Sequence, residues 1–154
     1  MQKFQIAING LDELRAQLRR LPADLTHEAA AIVQGHAEAA VREMDAKYAQ
    51  HEWTGNLRRG LTMMQDYTGT RYGVRWIVRN RAPHAYFAEH GTEMRETLGR
   101  KSIRAGVSRG RMPPLNIFIP IARRRRRLMV NALVEVVRRA GLQVNDVEVF
   151  SEAA

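Results

Sequence analysis

A stripe of apolar residues that recurs every three or four positions constrains the fold of this chain most strongly. Its members are Leu25, Ala29, Val33, Ala37, Ala40, Met44 and Tyr48. Residues at this spacing share one face of an α-helix, and the alanines among them allow a neighbouring element to approach closely. The stripe predicts a long amphipathic helix that begins at Asp24, a residue able to cap it, and ends where residues 50–56 interrupt the pattern.

Two other helices are predicted, one before this helix and one near the end of the sequence. A short helix that ends near Pro22 is indicated by the spacing of Leu11, Leu14, Leu18 and Leu21. Pro120 fits the first turn of the last helix, because the N–H that proline lacks has no helical partner there. That helix is expected to run to about Ala140, with Gly141 as its stop. The residues expected on its inner face are Ile121, Leu128, Ala132, Val136 and Ala140.

Alternation of apolar and polar residues predicts the strands of a small sheet. The pattern occurs at residues 4–8, 61–67, 72–79 and, weakly, 142–150. Residues 68–71 fit a hairpin turn between the second and third of these strands, and residues 84–90 fit a short helical turn ended by Gly91. Strands and helices together predict a single α+β domain over residues 1–154. A small antiparallel sheet is expected to pack against the long central helix and the C-terminal helix.

Positive charge is concentrated in one part of the sequence. Residues 95–127 hold eleven of the 25 Lys and Arg residues but one of the 16 Asp and Glu residues, so the rest of the chain is nearly neutral although the formal net charge is +9. Residues 92–114 are also poor in large apolar side chains, which predicts a long exposed loop. This charge distribution predicts a partner with an anionic surface.

Five arginines in succession lie in the first turns of the last predicted helix. Neighbouring helical residues differ by about 100°, so these side chains point all round the helix and at least one must face the core or another subunit. Three interpretations of this run are open: the arginines are solvated, they pair with acidic groups across a subunit or partner interface, or they contact DNA. We favour pairing across an interface. The residues assigned to it are Arg100, Lys101, Arg104, Arg109, Arg111, Arg123, Arg124, Arg125, Arg126 and Arg127.

Residues with catalytic or metal-binding potential occur without the context that such chemistry needs. Ser108 lies in a Gly-x-Ser-x-Gly pattern, but its flanks do not predict a strand-to-helix turn and no histidine follows it. His84 and His90 are six residues apart, a spacing that does not place a metal-binding pair on one helix face. The chain has no cysteine, which fits a reducing compartment. We therefore expect a protein that is not an enzyme and has no metal or cofactor; a hydrolase using Ser108 is the weakest alternative.

Apolar runs in the sequence are short. None approaches the ~20 residues that a membrane-spanning helix needs, and the first residues lack the apolar run of a signal peptide. We expect neither secretion nor membrane insertion.

Four short segments occur in an order that matches a known family. They are residues 8–14; residues 54–61, with Thr54, Gly55 and Leu57; residues 85–92, with Tyr86, Glu89, Gly91 and Thr92; and residues 113–122, with Pro114 and Pro120. This ordered set resembles the tail-component family of long-tailed phages, whose members complete the end of the tail tube or join it to the head. We also expect Thr54 and Gly55 to turn the chain out of the long helix, and the rings of Tyr86 and Phe87 to be buried beside Gly91.

The resemblance implies a structural virion protein of the neck, assembled in the host cytoplasm. The resemblance also implies that the chain is one subunit of a hexameric ring, which lies between the tail tube protein and the head connector or stopper proteins. The long loop would then reach neighbouring subunits, and DNA could pass through the lumen. A different interpretation of the cationic part is a small basic DNA-binding protein, because phosphate binding depends on such charge.

Overall fold

The computed structural model describes residues 11–20, 23–51, 55–66, 74–96 and 108–143. The predicted strand at 4–8, the predicted hairpin turn at 68–71 and most of the predicted strand at 142–150 lie outside these ranges. Within them the chain forms, in order, α1 (Leu11–Leu18), α2 (Ala23–Ala49), α3 (Asn56–Gly60), β1 (Leu61–Asp66), β2 (Arg75–Asn80), α4 (Ala85–His90), β3 (Arg95–Glu96), β4 (Ser108–Gly110) and α5 (Phe118–Arg139).

Helix α2 is the long helix that the apolar stripe predicts, and its stripe faces the interior. Ala29, Ala40, Met44 and Tyr48 are buried, and the remaining members of the stripe are half-buried. The helix begins at Ala23. Asp24 therefore lies inside the first turn, and its prediction as the capping residue is wrong.

Helices α2 and α5 pack along each other and enclose two apolar clusters. The first cluster contains Leu14, Ala29, Val130, Leu133 and Val137. The second cluster contains Ala40, Met44, Tyr48, Ile117 and Ile121. Helix α1 joins the first cluster through Leu14, which is 1% exposed. A large aliphatic side chain that is fully buried contributes about 1.5–3 kcal/mol, so these two clusters make a substantial contribution to stability.

Strands β1 and β2 form a two-stranded antiparallel sheet in which Leu61 pairs with Asn80 and Asp66 pairs with Arg75. Leu61 and Val78 pack against the second cluster. The fold is therefore α+β, with the small sheet against the long central helix and the C-terminal helix, as the sequence predicts. Strand β2 begins at Arg75, later than the predicted start at residue 72. Val74, which precedes it, is exposed.

The inner face of α5 differs from the predicted face. Leu128, predicted to face inward, is 43% exposed, whereas Val130, Leu133 and Val137 are buried. Ile121 and Val136 are buried as predicted. The difference arises because five successive arginines leave no apolar residue to mark the inner face over residues 123–127. The other predicted members, Ala132 and Ala140, are half-buried.

Helix α5 ends in the way that Gly141 predicts. Gly141 has φ +74°, its N–H donates to the carbonyl of Arg138 (2.9 Å), and the N–H of Leu142 donates to the carbonyl of Val137 (3.2 Å). These two bonds form a Schellman motif, which satisfies carbonyl groups that the end of a helix leaves without partners. Leu142 then packs against the first cluster.

The segment 92–114 contains regular structure, contrary to its prediction as a loop throughout. Its two ends pair as strands β3 and β4, with Arg95 opposite Gly110 and Glu96 opposite Ser108. The prediction relied on the lack of apolar side chains, but an antiparallel pair can form through backbone hydrogen bonds alone. Residues 97–107 lie outside the described part of the chain. None of the described helices is long and apolar enough to span a lipid bilayer.

Candidate interaction site

A buried carboxylate, that of Glu89 in α4, holds the start of α5. Glu89 is 6% exposed. Its Oε2 accepts hydrogen bonds from the backbone N–H groups of Ile117 (3.0 Å) and Phe118 (2.9 Å), and its Oε1 accepts one from Ile119 (2.9 Å). Pro120 follows and has no N–H, so the backbone donors of this first turn are all accounted for. A negative charge here is also favourable because it faces the positive end of the helix dipole.

Backbone hydrogen bonds extend this connection on both sides of Glu89. The N–H of Leu115 donates to the carbonyl of Ala88 (2.8 Å). The N–H of Thr92 donates to the carbonyl of Met112 (2.9 Å), and Oγ1 of Thr92 accepts from the N–H of Met112 (3.1 Å). Residues 88–92 are therefore joined to residues 112–119 by a series of hydrogen bonds.

Gly91 allows these two segments to approach closely. Its φ is +75°, and a Cβ at this position would lie 2.7 Å from the carbonyl oxygen of Met112 and 2.9 Å from the nitrogen of Pro114. Both the backbone conformation and the lack of space exclude a side chain. Gly91 also ends α4, where its N–H donates to the carbonyl of Phe87 (2.8 Å), as predicted.

The segment 54–61 lies against the same second cluster. Gly55 has φ +69° at the start of α3, and Leu57 packs against the cluster. Arg58 donates from Nε to Oδ1 of Asp45 in α2 (2.8 Å) and from Nη2 to Oδ2 (3.0 Å), a paired interaction that fixes α3 on α2. Thr54 lies outside the described residues. Segments 54–61 and 113–122 therefore both contribute to the second cluster, and segment 85–92 is joined to 113–122 by hydrogen bonds. The remaining family-like segment, residues 8–14, reaches the first cluster through Leu14.

Two aromatic rings next to Glu89 are exposed, and the prediction that they are buried beside Gly91 is wrong. Tyr86 is 55% exposed and Phe87 is 49% exposed. Their ring centroids are 5.9 Å apart in an edge-to-face arrangement, and the ring of His90 lies 4.6 Å from that of Tyr86. The other side of this short helix is occupied by Ala88 and Glu89, which are buried, so Tyr86 and Phe87 must point outward.

The arginine run divides into members that are paired within the chain and members for which no such pair is seen. Arg124 and Arg125 both form ion pairs with Glu43 of α2. Among the described residues, no carboxylate lies within 4 Å of Arg123, Arg126 or Arg127. Part of the run therefore stabilises the α2–α5 contact, and the interface that we predict for the others is not seen in this single chain.

Three of the five arginines are half-buried, as the helix geometry requires. They are Arg123, Arg125 and Arg126, whereas Arg124 and Arg127 are exposed. Burial lowers the pKa of Arg126, and the charge of Arg15 lowers it further. Burial also lowers the pKa of His36, with a further contribution from Arg125. The inner side of this part of α5 is therefore a region of positive charge with few counter-ions among the described residues.

The remaining predicted residues are placed as follows. Arg100, Lys101 and Arg104 lie outside the described residues, as does the side chain of Arg109. Arg111 is exposed, and Pro114 is exposed beside Gly91. Ser108 is exposed within β4 and its Oγ accepts from the N–H of Gly110 (3.3 Å), so it does not stand at a strand-to-helix turn. The described part of the chain contains no group of three His, Asp or Glu side chains able to hold a metal ion.

Sequence reasoning missed three residues that organise this region. Glu43 directly precedes Met44 in the apolar stripe, so its position beside the buried face could have indicated a partner on another element. Asp45 and Arg58 are 13 residues apart with a break between them, and no local pattern predicts their contact. Comparison of the chain with family models, with curated proteins and with solved structures gives no match.

Proposed function

We propose that this protein is a structural subunit of the neck of a long-tailed phage, one member of a ring that completes the tail and joins it to the head. The observation that carries the proposal is that three of the four family-like segments are in contact: 54–61 and 113–122 share the second cluster, and 85–92 is hydrogen-bonded to 113–122. If the resemblance were a coincidence of short patterns, nothing would require these segments to meet. Their contacts through Leu57, Glu89 and Gly91 give each motif a physical role in one unit.

The exposed aromatic pair supports an assembly role. Tyr86 and Phe87 are large apolar groups that leave about half of their surface in water in the free chain. Covering them in an interface would be favourable, and aromatic residues are enriched among those that contribute most to binding. Glu89 holds α4 against the start of α5, so the two rings are presented on a rigid support and little ordering would be needed on docking.

The test is assembly of particles from their parts. Heads and tails formed without this chain are mixed with purified chain, and joined particles are counted and imaged by cryo-electron microscopy. We expect a ring of copies at the junction. Replacing Tyr86 and Phe87 together by alanine should reduce joining strongly, whereas the control Leu128→Ala, also an exposed apolar residue, should not. A chain that remains monomeric in the presence of heads and tails and docks on neither would contradict the proposal.

The alternative of a small basic DNA-binding protein makes a different prediction. Its binding to duplex DNA would weaken steeply with salt, because each neutralised phosphate releases counter-ions. Replacing Arg123, Arg126 and Arg127 by glutamine would lower both affinity and salt dependence. Glu43 already neutralises part of the arginine run, which reduces the charge available for phosphates. Tight, salt-dependent duplex binding without any joining of heads and tails would favour this alternative.

A further inference from the structure

Arg126 occupies a position where an apolar residue is expected. It precedes Val130 by four residues and Leu133 by seven, and these two residues are 1% and 6% exposed. Residues at this spacing share one face of a helix, so Arg126 lies on the inner face of α5. Its side chain is half-buried there, whereas Arg127, the next residue, is exposed.

The charge of Arg126 has no counter-ion in the described part of the chain, where no carboxylate lies within 4 Å of it. Burial lowers the pKa of Arg126, and the like charge of Arg15 in α1 lowers it further. A partly desolvated charge beside a like charge is unfavourable. With no counter-ion among the described residues, we expect a neutral side chain at this position to make the free protein more stable.

Helices α1 and α5, which carry the two arginines, pack on each other through the first cluster. Leu14 precedes Arg15, and Val130 lies one turn after Arg126; both are 1% exposed and belong to the first cluster. The contact between α1 and α5 thus includes Leu14, the neighbour of Arg15 in the sequence, and Val130, one helical turn after Arg126. We call this pair, Arg15 and Arg126, the arginine notch.

We propose that the arginine notch binds an acidic side chain of a partner protein, with Arg126 as the main ligand and Arg15 as the second. Arg15 is able to bind a carboxylate at the surface: its Nη1 donates to Oδ1 of Asp12 at 3.1 Å. The side chain of Asp12 is 98% exposed, so this pair contributes little to stability and can be exchanged for a partner's carboxylate. An incoming carboxylate between the two guanidinium groups would remove their repulsion and supply the missing counter-ion.

A slender carboxylate fits this position better than the backbone of duplex DNA. Arg126 is recessed on the inner face of α5, and Asp12 and Glu13 in the first turn of α1 lie near Arg15 in sequence. Duplex DNA carries one negative charge per ~1.7 Å of its axis, so these acids would oppose it more than they oppose a single side chain. This inference goes beyond the proposed neck function and does not depend on it.

The test uses the whole chain and a short oligoglutamate peptide blocked at both ends, with oligoglutamine as the matched peptide. Nitrogen-15 NMR of the arginine Nε–Hε groups should show that oligoglutamate shifts the signal of Arg126 and oligoglutamine does not. Arg126→Gln should weaken peptide binding by about fivefold or more, whereas Arg127→Gln, a neighbour on the outer side, should change it by less than about twofold. Arg15→Gln should weaken it to an intermediate extent.

A second measurement separates a binding role from a structural role. Because no described carboxylate pairs with Arg126, Arg126→Gln should raise the melting temperature of the free protein by about 2–4 °C while it weakens peptide binding. A lowered melting temperature would show that Arg126 stabilises the fold, and equal effects of Arg126→Gln and Arg127→Gln would show unspecific attraction. Either result would overturn the proposal.

Two further outcomes would also contradict it. Duplex DNA that shifts the Arg126 signal more strongly than oligoglutamate would identify nucleic acid as the partner. The sequence after residue 143 contains Asp146, Glu148 and Glu152. If replacing these three by their amides shifts the Arg126 signal in the free protein, the acidic group comes from the chain itself and no partner is needed.

Discussion

Oε2 of Glu89 lies 3.0 Å from the backbone nitrogen of Ile117 and accepts its hydrogen bond, so a residue of α4 performs the capping that Ile117 cannot perform for α5. Helices usually receive this bond from a Ser, Thr, Asp or Asn at their own first position. Here the acceptor comes from 28 residues earlier in the sequence. The start of α5 and the position of α4 consequently depend on each other.

Glu89→Gln should destabilise the protein by about 1–3 kcal/mol, because the substituted amide presents a donor to backbone N–H groups that need an acceptor. The measurement is urea unfolding followed by circular dichroism. Glu93→Gln is the matched control, since Glu93 is exposed and close in sequence; it should change stability by less than about 0.5 kcal/mol. Equal stability of the Glu89→Gln variant and the parent would contradict the capping role.

Gly91→Ala should destabilise the protein by more than about 2 kcal/mol, through backbone strain at φ +75° and the contact with the carbonyl of Met112. Gly35 provides the opposite case in the same chain. It lies inside α2, and a Cβ added there would meet no atom within 4 Å, so Gly35→Ala should stabilise by about 0.5–1 kcal/mol. Thermal unfolding of the two variants should therefore shift in opposite directions.

Leu133→Ala should cost about 2–4 kcal/mol, because Leu133 is 6% exposed in the first cluster and its truncation leaves a cavity. The same substitution at Leu128, which is 43% exposed on the same helix, should cost less than about 1 kcal/mol. Urea unfolding of this pair tests which face of α5 is inward. A larger effect at Leu128 would support the face that the sequence predicts instead.

The Arg58–Asp45 pair should make stability depend on pH in the acidic range. Hydrogen bonds from Arg58 lower the pKa of Asp45 against a smaller opposing effect of burial. A lowered folded-state pKa means that the contribution is fully present above the ordinary aspartate pKa and is lost as the pH falls through the folded value.

The pair is about two-fifths exposed, so its contribution should be about 0.5–1 kcal/mol at neutral pH. Asp45→Asn should remove this contribution at neutral pH, and the difference from the parent should vanish as Asp45 becomes protonated. Urea unfolding across the acidic range measures it. Arg58→Gln should reproduce the same pH dependence, and a difference that persists in acid would show that another interaction is responsible.

Much of the fold could be predicted because its signals are local. The stripe from Leu25 to Tyr48 predicts α2, alternation around Leu61 and Val78 predicts the sheet, and Gly141 predicts the end of α5. The same reasoning misplaced the inner face of α5, because an arginine run carries no apolar period and Arg126 occupies an inward position. It also missed the pairing of β3 with β4, which depends on backbone groups that every residue has.

The candidate site was predictable in its parts but not in its arrangement. The sequence singled out Glu89, Gly91 and Thr92, yet no local pattern states that Glu89 binds the start of a helix 28 residues later. Burial of Tyr86 and Phe87 was expected from their apolar rings. They are exposed because one side of this six-residue helix faces the interior, and Ala88 and Glu89 occupy that side.

By itself, the sequence determined the α+β class, the long helix, the position of Pro120 and Gly141 at the ends of α5, and the concentration of positive charge, because periodicity, backbone restriction and composition act over short distances. Only the tertiary structure decided which charges are neutralised. Glu43 forms ion pairs with Arg124 and Arg125, whereas Arg126 has no carboxylate within 4 Å among the described residues. Such pairing depends on how α1, α2 and α5 pack against each other. No local sequence pattern predicts contacts between elements that are distant in the chain.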